Sequence, residues 1–91
     1  MISIDDIIGM TDLTEDEIAA IGEHEHMELA PAAAMAGYLM HKHHGPAKIQ
    51  AMICDDTREA LHKGDLAHAW TLFAALRHFM AEHSEAARGV D

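Results

Sequence analysis

Glu23-His24-Glu25-His26-Met27-Glu28-Leu29-Ala30-Pro31 is the stretch on which the fold turns. Helix-forming residues lie on both sides of it, so it belongs either inside one long helix or at the corner between two. Pro31 has no N–H to give to the Met27 carbonyl, and a proline in a helix interior kinks or breaks the helix. Leu29-Ala30 contains no glycine and leaves very little chain for a reversal. The preferred reading is therefore one helix over about 15–43, kinked at Pro31, with a corner near Leu29-Ala30 as the alternative.

Outward from this stretch, the helix limits are marked more clearly. Thr14-Glu15-Asp16-Glu17 before Ile18 is a capping box, in which the Thr14 hydroxyl and Glu17 carboxylate each take a backbone N–H at the helix start. Gly45-Pro46 stops the long segment, and Pro46 suits the first turn of the next one. That segment runs to Lys63 and ends at Gly64, a residue free to adopt the left-handed conformation that closes helices. Asp65 caps the last helix, expected over about 66–86. Near the start, Ser3 can cap a short helix ending near Gly9, with Asp5 and Asp6 favoured by the helix dipole. The tail Ala87-Arg88-Gly89-Val90-Asp91 is expected to fray. No strand alternation, internal repeat or low-complexity linker interrupts this pattern. The expected fold is all-α: one domain over residues 1–91, a compact antiparallel helical bundle of three long segments, the first kinked near Pro31, plus a short N-terminal helix.

An apolar fraction of 49% and a charged fraction of 24% are ordinary, so the nine histidines in 91 residues stand out. The formal charge is −10 with neutral histidines. Phosphate and anionic lipid surfaces want a basic face, so nucleic acid and membrane are poor partners. Solubility and self-repulsion should change strongly as the histidines titrate, at roughly pH 6.5 when unperturbed. Cys54 is the one cysteine. That excludes an internal disulfide and the paired-cysteine zinc, redox and haem motifs. Its neighbours Asp55 and Asp56 disfavour a thiolate. Acids at Asp5 and Asp6 do not suit a secretory leader, and no apolar run is long enough to span a bilayer. The expected compartment is the cytoplasm.

At 100° per residue, Ile18, Ile21, Gly22, Glu25, Leu29, Ala32, Ala36 and Leu39 form one apolar stripe with Glu25 in its middle. The next segment gives Ile49, Met52, Ile53, Asp56 and Ala60. The last gives Leu66, Ala69, Leu72, Phe73, Leu76, Phe79, Met80 and His83. An ionised carboxylate on an apolar stripe needs a partner or a metal. In the continuous-helix register Glu25 and Glu28 come level with Glu59, His62 and His68. If the chain reverses at Pro31, Glu25 comes level with Asp56 instead.

Oxygen and imidazole ligands without thiolate suit iron, manganese or zinc. The expected metal ligands are Glu25, Glu28 and Glu59 through oxygen and His24, His62 and His68 through imidazole. Some of the six would act through the ligands rather than on the ion. Two Glu-x-x-His pairs, Glu23/His26 and Glu59/His62, match the di-iron bundle pattern only weakly. Glu23 and His26 point away from the main stripe and would need a second interface. His41-Lys42-His43-His44 before Gly45 is explained by cations near a helix C-terminus. The small residues from Ala30 to Gly37 allow close helix approach and suggest a homodimer. The first functional expectation is thus a small metal-binding protein with a carboxylate/histidine site between helices. The alternative is a metal-free module for interaction with another protein partner or for regulation, whose acids and histidines form a polar core. A metal-dependent oxygen- or peroxide-handling enzyme on the same site is the third, and it would need an open coordination position.

Overall fold

Five helices follow one another in the computed structural model, which describes residues 3–84: α1 (Ile4–Gly9), α2 (Glu15–Glu25), α3 (Leu29–His41), α4 (Gly45–His62) and α5 (Leu66–Glu82). All secondary structure among the described residues is helical, so the all-α expectation holds. The expected fraying tail, Ala87–Asp91, lies outside the described residues, as do the last residues assigned to the final helix.

The long kinked helix does not form. The chain breaks at His26, which takes the left-handed conformation at φ 58°, ψ 45°. The His26 N–H donates to the Glu23 carbonyl at 3.4 Å and the Met27 N–H to the Gly22 carbonyl at 2.8 Å. These two bonds are the Schellman closure, which satisfies carbonyls a helix end leaves unpaired. Gly22 makes the corner possible. A Cβ there would stand 2.8 Å from the Met27 carbonyl oxygen and 3.1 Å from the Ala32 Cβ. Pro31 falls in the first turn of α3, where its missing N–H would have had no partner in the helix. The proline therefore helps start a second helix rather than kinking a first.

The other helix limits follow the sequence. Thr14 Oγ1 accepts from the Glu17 N–H at 3.1 Å, and the Thr14 N–H donates to Glu17 Oε1 at 2.8 Å. Ser3 and Asp6 repeat that exchange before α1. Gly64 is left-handed at φ 76°. Its N–H reaches the Leu61 carbonyl, and the Asp65 N–H the Ala60 carbonyl, both at 3.0 Å. Asp65 Oδ1 then accepts from the His68 N–H at 3.2 Å. At the α3–α4 junction a Cβ on Gly45 would overlap the Leu39 carbonyl.

Ile18, Ile21, Ile49, Ile53 and Phe79 are fully buried and bring α2, α4 and α5 to one core. Each such side chain contributes about 1.5–3 kcal/mol relative to exposure. Ala32, Ala33 and Ala36 are also fully buried. The small-residue face of α3 is thus used within the chain, against α2 at Gly22 and against Thr11 at Gly37. The inward stripe of α5 differs from expectation. Ala69, Leu72, Ala75, Leu76 and Phe79 are buried, whereas Leu66, Trp70, Phe73 and Met80 are exposed. No described helix is long and apolar enough to cross a membrane.

Candidate functional site

The end of α2 meets the end of α4 and the start of α5, and polar side chains gather at that junction. Glu23, Asp56, Glu59, Lys63, Asp65 and His68 line a cavity of about 130 Å³. An adjoining hollow of about 370 Å³ shares four of these residues and adds His24 and His26. Two histidine–carboxylate pairs close it. His24 Nδ1 lies 3.1 Å from Asp56 Oδ1, joining α2 to α4. His68 Nε2 lies 2.7 Å from Glu23 Oε2, joining α5 to α2.

A third pair sits further along the same helices. His78 Nδ1 on α5 lies 2.7 Å from Glu17 Oε2 on α2. The Glu17 side chain is 1% exposed, and its other oxygen is the one that caps Thr14. Both carboxylate oxygens are therefore hydrogen-bonded, which is the condition for burying an acid at tolerable cost. All three pairs fasten α2 to the α4–α5 unit, and each uses one imidazole and one carboxylate.

These contacts shift two histidines. The hydrogen bond that His68 donates to Glu23 holds its pKa above the usual histidine value; burial opposes this, while the charges of Glu23, Asp65 and Asp56 add to it. His78 is raised by its hydrogen bond to Glu17 and by the Glu17 charge, with a smaller contribution from Glu82. Asp56 behaves differently. Its Oδ1 meets His24, but Oδ2 is buried with no hydrogen-bond partner among the described residues. A buried carboxylate oxygen without a donor is costly.

The six expected ligands separate into two groups. His24, Glu59 and His68 all face the junction. Glu59 is largely exposed there and lies 3.3 Å from Lys63 Nζ, one helical turn away. Glu25, Glu28 and His62 do not line it. Glu25 is half-buried, with its carboxylate 4.0 Å from His24 Nε2. Glu28 is exposed at the α3 N-cap, without a side-chain capping bond. His62 is exposed in the last turn of α4. Among the described residues no group of three or more His, Cys, Asp or Glu is placed to hold one ion.

Four residues of these pairs were outside the expected ligand set: Glu17, Glu23, Asp56 and His78. Glu17 was legible only as a cap. Glu23 points away from the main apolar stripe, yet that side of α2 is where His68 approaches. Asp56 is visible in the sequence as an acid on an apolar stripe, and the register with a reversal at Pro31 puts it level with Glu25, next to its observed partner His24. His78 carries no sequence signal beyond its type. In the histidine run, His41 Nδ1 lies 2.9 Å from the Gly37 carbonyl oxygen, a local end-capping contact. No family model, no curated protein and no solved structure matches this chain.

Proposed function

We propose that this chain is a small cytoplasmic protein-interaction module, with α2 clasped by histidine–carboxylate pairs and with α4 and α5 presenting the binding face. The observation that carries this reading is the outer face of α5. Trp70 is 72% exposed, Leu66 68% and Leu61 of α4 53%. Thr57, Leu61, Leu66, Ala69, Trp70 and Phe73 line a groove of about 360 Å³ between the two helices. Single exposed apolar residues need no explanation, but a contiguous patch with an aromatic centre marks an interaction surface. The short Lys63-Gly64-Asp65 connection favours an antiparallel α4–α5 hairpin, which would make the groove continuous along both helices. The polar pairs then fix how α2 sits on that hairpin and keep the opposite side closed.

The test is binding of an anilinonaphthalene sulfonate dye to the folded protein at low concentration. Wild type is expected to bind it, and Trp70→Glu and Leu66→Glu to lose binding at unchanged helicity. Equal dye binding in all three proteins would remove this face as the binding surface.

A second reading is a divalent metal ion at the junction. Asp56 Oδ2 supports it, as a buried oxygen with no donor beside Glu23, Glu59 and His68. It would require side-chain rearrangement, because the histidines are already engaged with carboxylates.

A further inference from the structure

The occupant of the α5 face follows from its register. Leu66, Phe73 and Met80 recur every seven residues, and Trp70 and Arg77 fall four after Leu66 and Phe73. This is the alternating three-and-four spacing of a coiled-coil seam. The buried side of α5 carries a separate set, Ala69, Leu72, Leu76 and Phe79. One helix thus has two apolar seams, one filled by its own chain and one open. The Trp70 and Phe73 rings lie 5.9 Å apart on the open seam. The two seams adjoin, so α5 carries an apolar arc wider than its own chain covers.

We propose that the open seam packs against the same seam of a second copy, joining two α4–α5 pairs into a four-helix bundle about a two-fold axis near Trp70 and Phe73. This rests on the reading of the chain as an interaction module and names its partner. Charge supports the choice. The chain carries −10, yet α5 has no acidic residue from Leu66 to Ala81. The acids lie elsewhere, so two copies can bring this face together without opposing carboxylates. Arg77 fixes the direction. In a parallel pairing the two Arg77 side chains would face each other. In an antiparallel pairing about that axis, Arg77 comes level with the partner's Leu66 and reaches toward the partner's Asp65. Opposite charges across the interface favour the antiparallel arrangement.

The area is adequate. Leu61, Leu66, Trp70, Phe73 and Met80 leave on the order of 500 Å² to water, scaled from side-chain areas of roughly 150–250 Å² for aromatics and somewhat less for the others. That is already large for a monomer. With the alanines and the Arg77 stem around it, the face approaches the roughly 800 Å² per partner of a stable interface. An isologous contact uses each residue twice, so one apolar stripe suffices.

Trp70 is the single tryptophan, which makes its emission a direct reporter. Sedimentation of the full chain is expected to give two chains per particle at high micromolar concentration. Trp70 emission should shift to the blue over the same concentration range. Phe73→Glu should be monomeric, with wild-type helicity and solvent-exposed emission. Arg77→Glu should weaken association by about tenfold or more, since it opposes the partner's Asp65; a parallel pair would be little affected. A wild-type monomer at high micromolar concentration overturns the proposal, as does a dimer that survives Phe73→Glu. If that monomer still binds the dye at Trp70 and Leu66, the second copy is excluded and the interaction face stands. If it does not bind the dye, both readings fail.

Discussion

Glu17 and His78 meet across 61 residues of sequence, and the carboxylate lies inside the protein while the imidazole lies largely outside it. Glu17 Oε1 is committed to the Thr14 N–H at 2.8 Å and Oε2 to His78 Nδ1 at 2.7 Å. One acid therefore caps the start of α2 and ties that helix to α5. Glu17→Ala removes both bonds and leaves a cavity, so it is expected to cost about 2–4 kcal/mol in urea unfolding. Glu17→Gln keeps the acceptor for Thr14 and should cost less. Equal stability of Glu17→Ala and wild type would mean that the buried pair does not hold α2.

The histidine pairs predict a direction for the pH dependence of stability. His68 and His78 are both raised in the folded protein, each first by its hydrogen bond to a glutamate. A raised histidine stabilises the fold fully below its unfolded pKa, near 6.5, and loses that contribution as pH rises through the folded pKa. Stability from these pairs should therefore fall from mildly acidic toward alkaline pH. Both imidazoles are substantially exposed, so the effect is modest and weakens with salt. Other histidines relieve the net negative charge in the same direction. The measurement is therefore the difference between wild type and His68→Gln/His78→Gln across pH 5–9. The difference should shrink as pH rises. A constant difference would assign the pairs a pH-independent role.

Gly22 and Gly37 both sit in helices among small residues, but only one is forced. A Cβ at Gly22 would press on the Met27 carbonyl oxygen at 2.8 Å, whereas at Gly37 the nearest atom is Thr11 Cγ2 at an ordinary 3.6 Å. Gly22→Ala is expected to destabilise by about 1–3 kcal/mol, because the backbone of the corner must move. Gly37→Ala should be neutral or more stable by up to about 1 kcal/mol, through helix propensity. Chemical denaturation of the two variants separates close packing from propensity.

The helix starts and stops that carry side-chain or glycine signals were legible: the Thr14/Glu17 box, Gly45-Pro46, and Gly64 followed by Asp65. The break at His26 was not, because a left-handed histidine looks in sequence like any helical one. The consequence spread further. The 100° count carries the stripe from α2 into α3 across a point where the helix ends, so Glu25, the last residue of α2, reads as the middle of a stripe, while Glu17 reads only as a cap. Gly22 was the available clue, as a glycine three residues before the helix end. On α5 the difficulty was different. Its two seams lie close in angle, and one broad stripe merged the buried Leu72 and Leu76 with the exposed Leu66 and Phe73. Periodicity finds apolar faces, but it does not say how many neighbours cover them. Half of the expected ligand set, His24, Glu59 and His68, does meet at one junction, where Asp56 and Glu23 complete the polar contacts.

His26 gives a test of the corner itself. A side chain in the left-handed region costs roughly 1–2 kcal/mol relative to right-handed backbone, and glycine does not incur it. His26 is exposed and makes no contact that the substitution would sacrifice except at the lip of the hollow. His26→Gly is expected to raise stability by up to about 1 kcal/mol, part of the gain being offset by the freer unfolded chain. His26→Val should lower it. If instead His26→Gly is clearly destabilised while His26→Ala is tolerated, the two helices would be continuous.

Asp56 decides the metal reading. Its Oδ1 is engaged by His24, while its buried Oδ2 has no donor. A metal ion would supply the missing charge and would compete with His24 and His68 for their carboxylates. Calorimetric titration of the untagged protein with zinc, manganous and ferrous ions is the direct measurement. Binding at the junction should release protons, because Glu23 holds His68 above the usual histidine pKa and ligation needs the neutral imidazole. Asp56→Asn should abolish the binding, and Glu25→Gln, half-buried and away from the cavity, should leave it intact. The same ions should raise the unfolding temperature of wild type but not of Asp56→Asn. A wild type that takes up no ion, or one whose affinity is unchanged in Asp56→Asn, would leave Asp56 as a structural partner of His24.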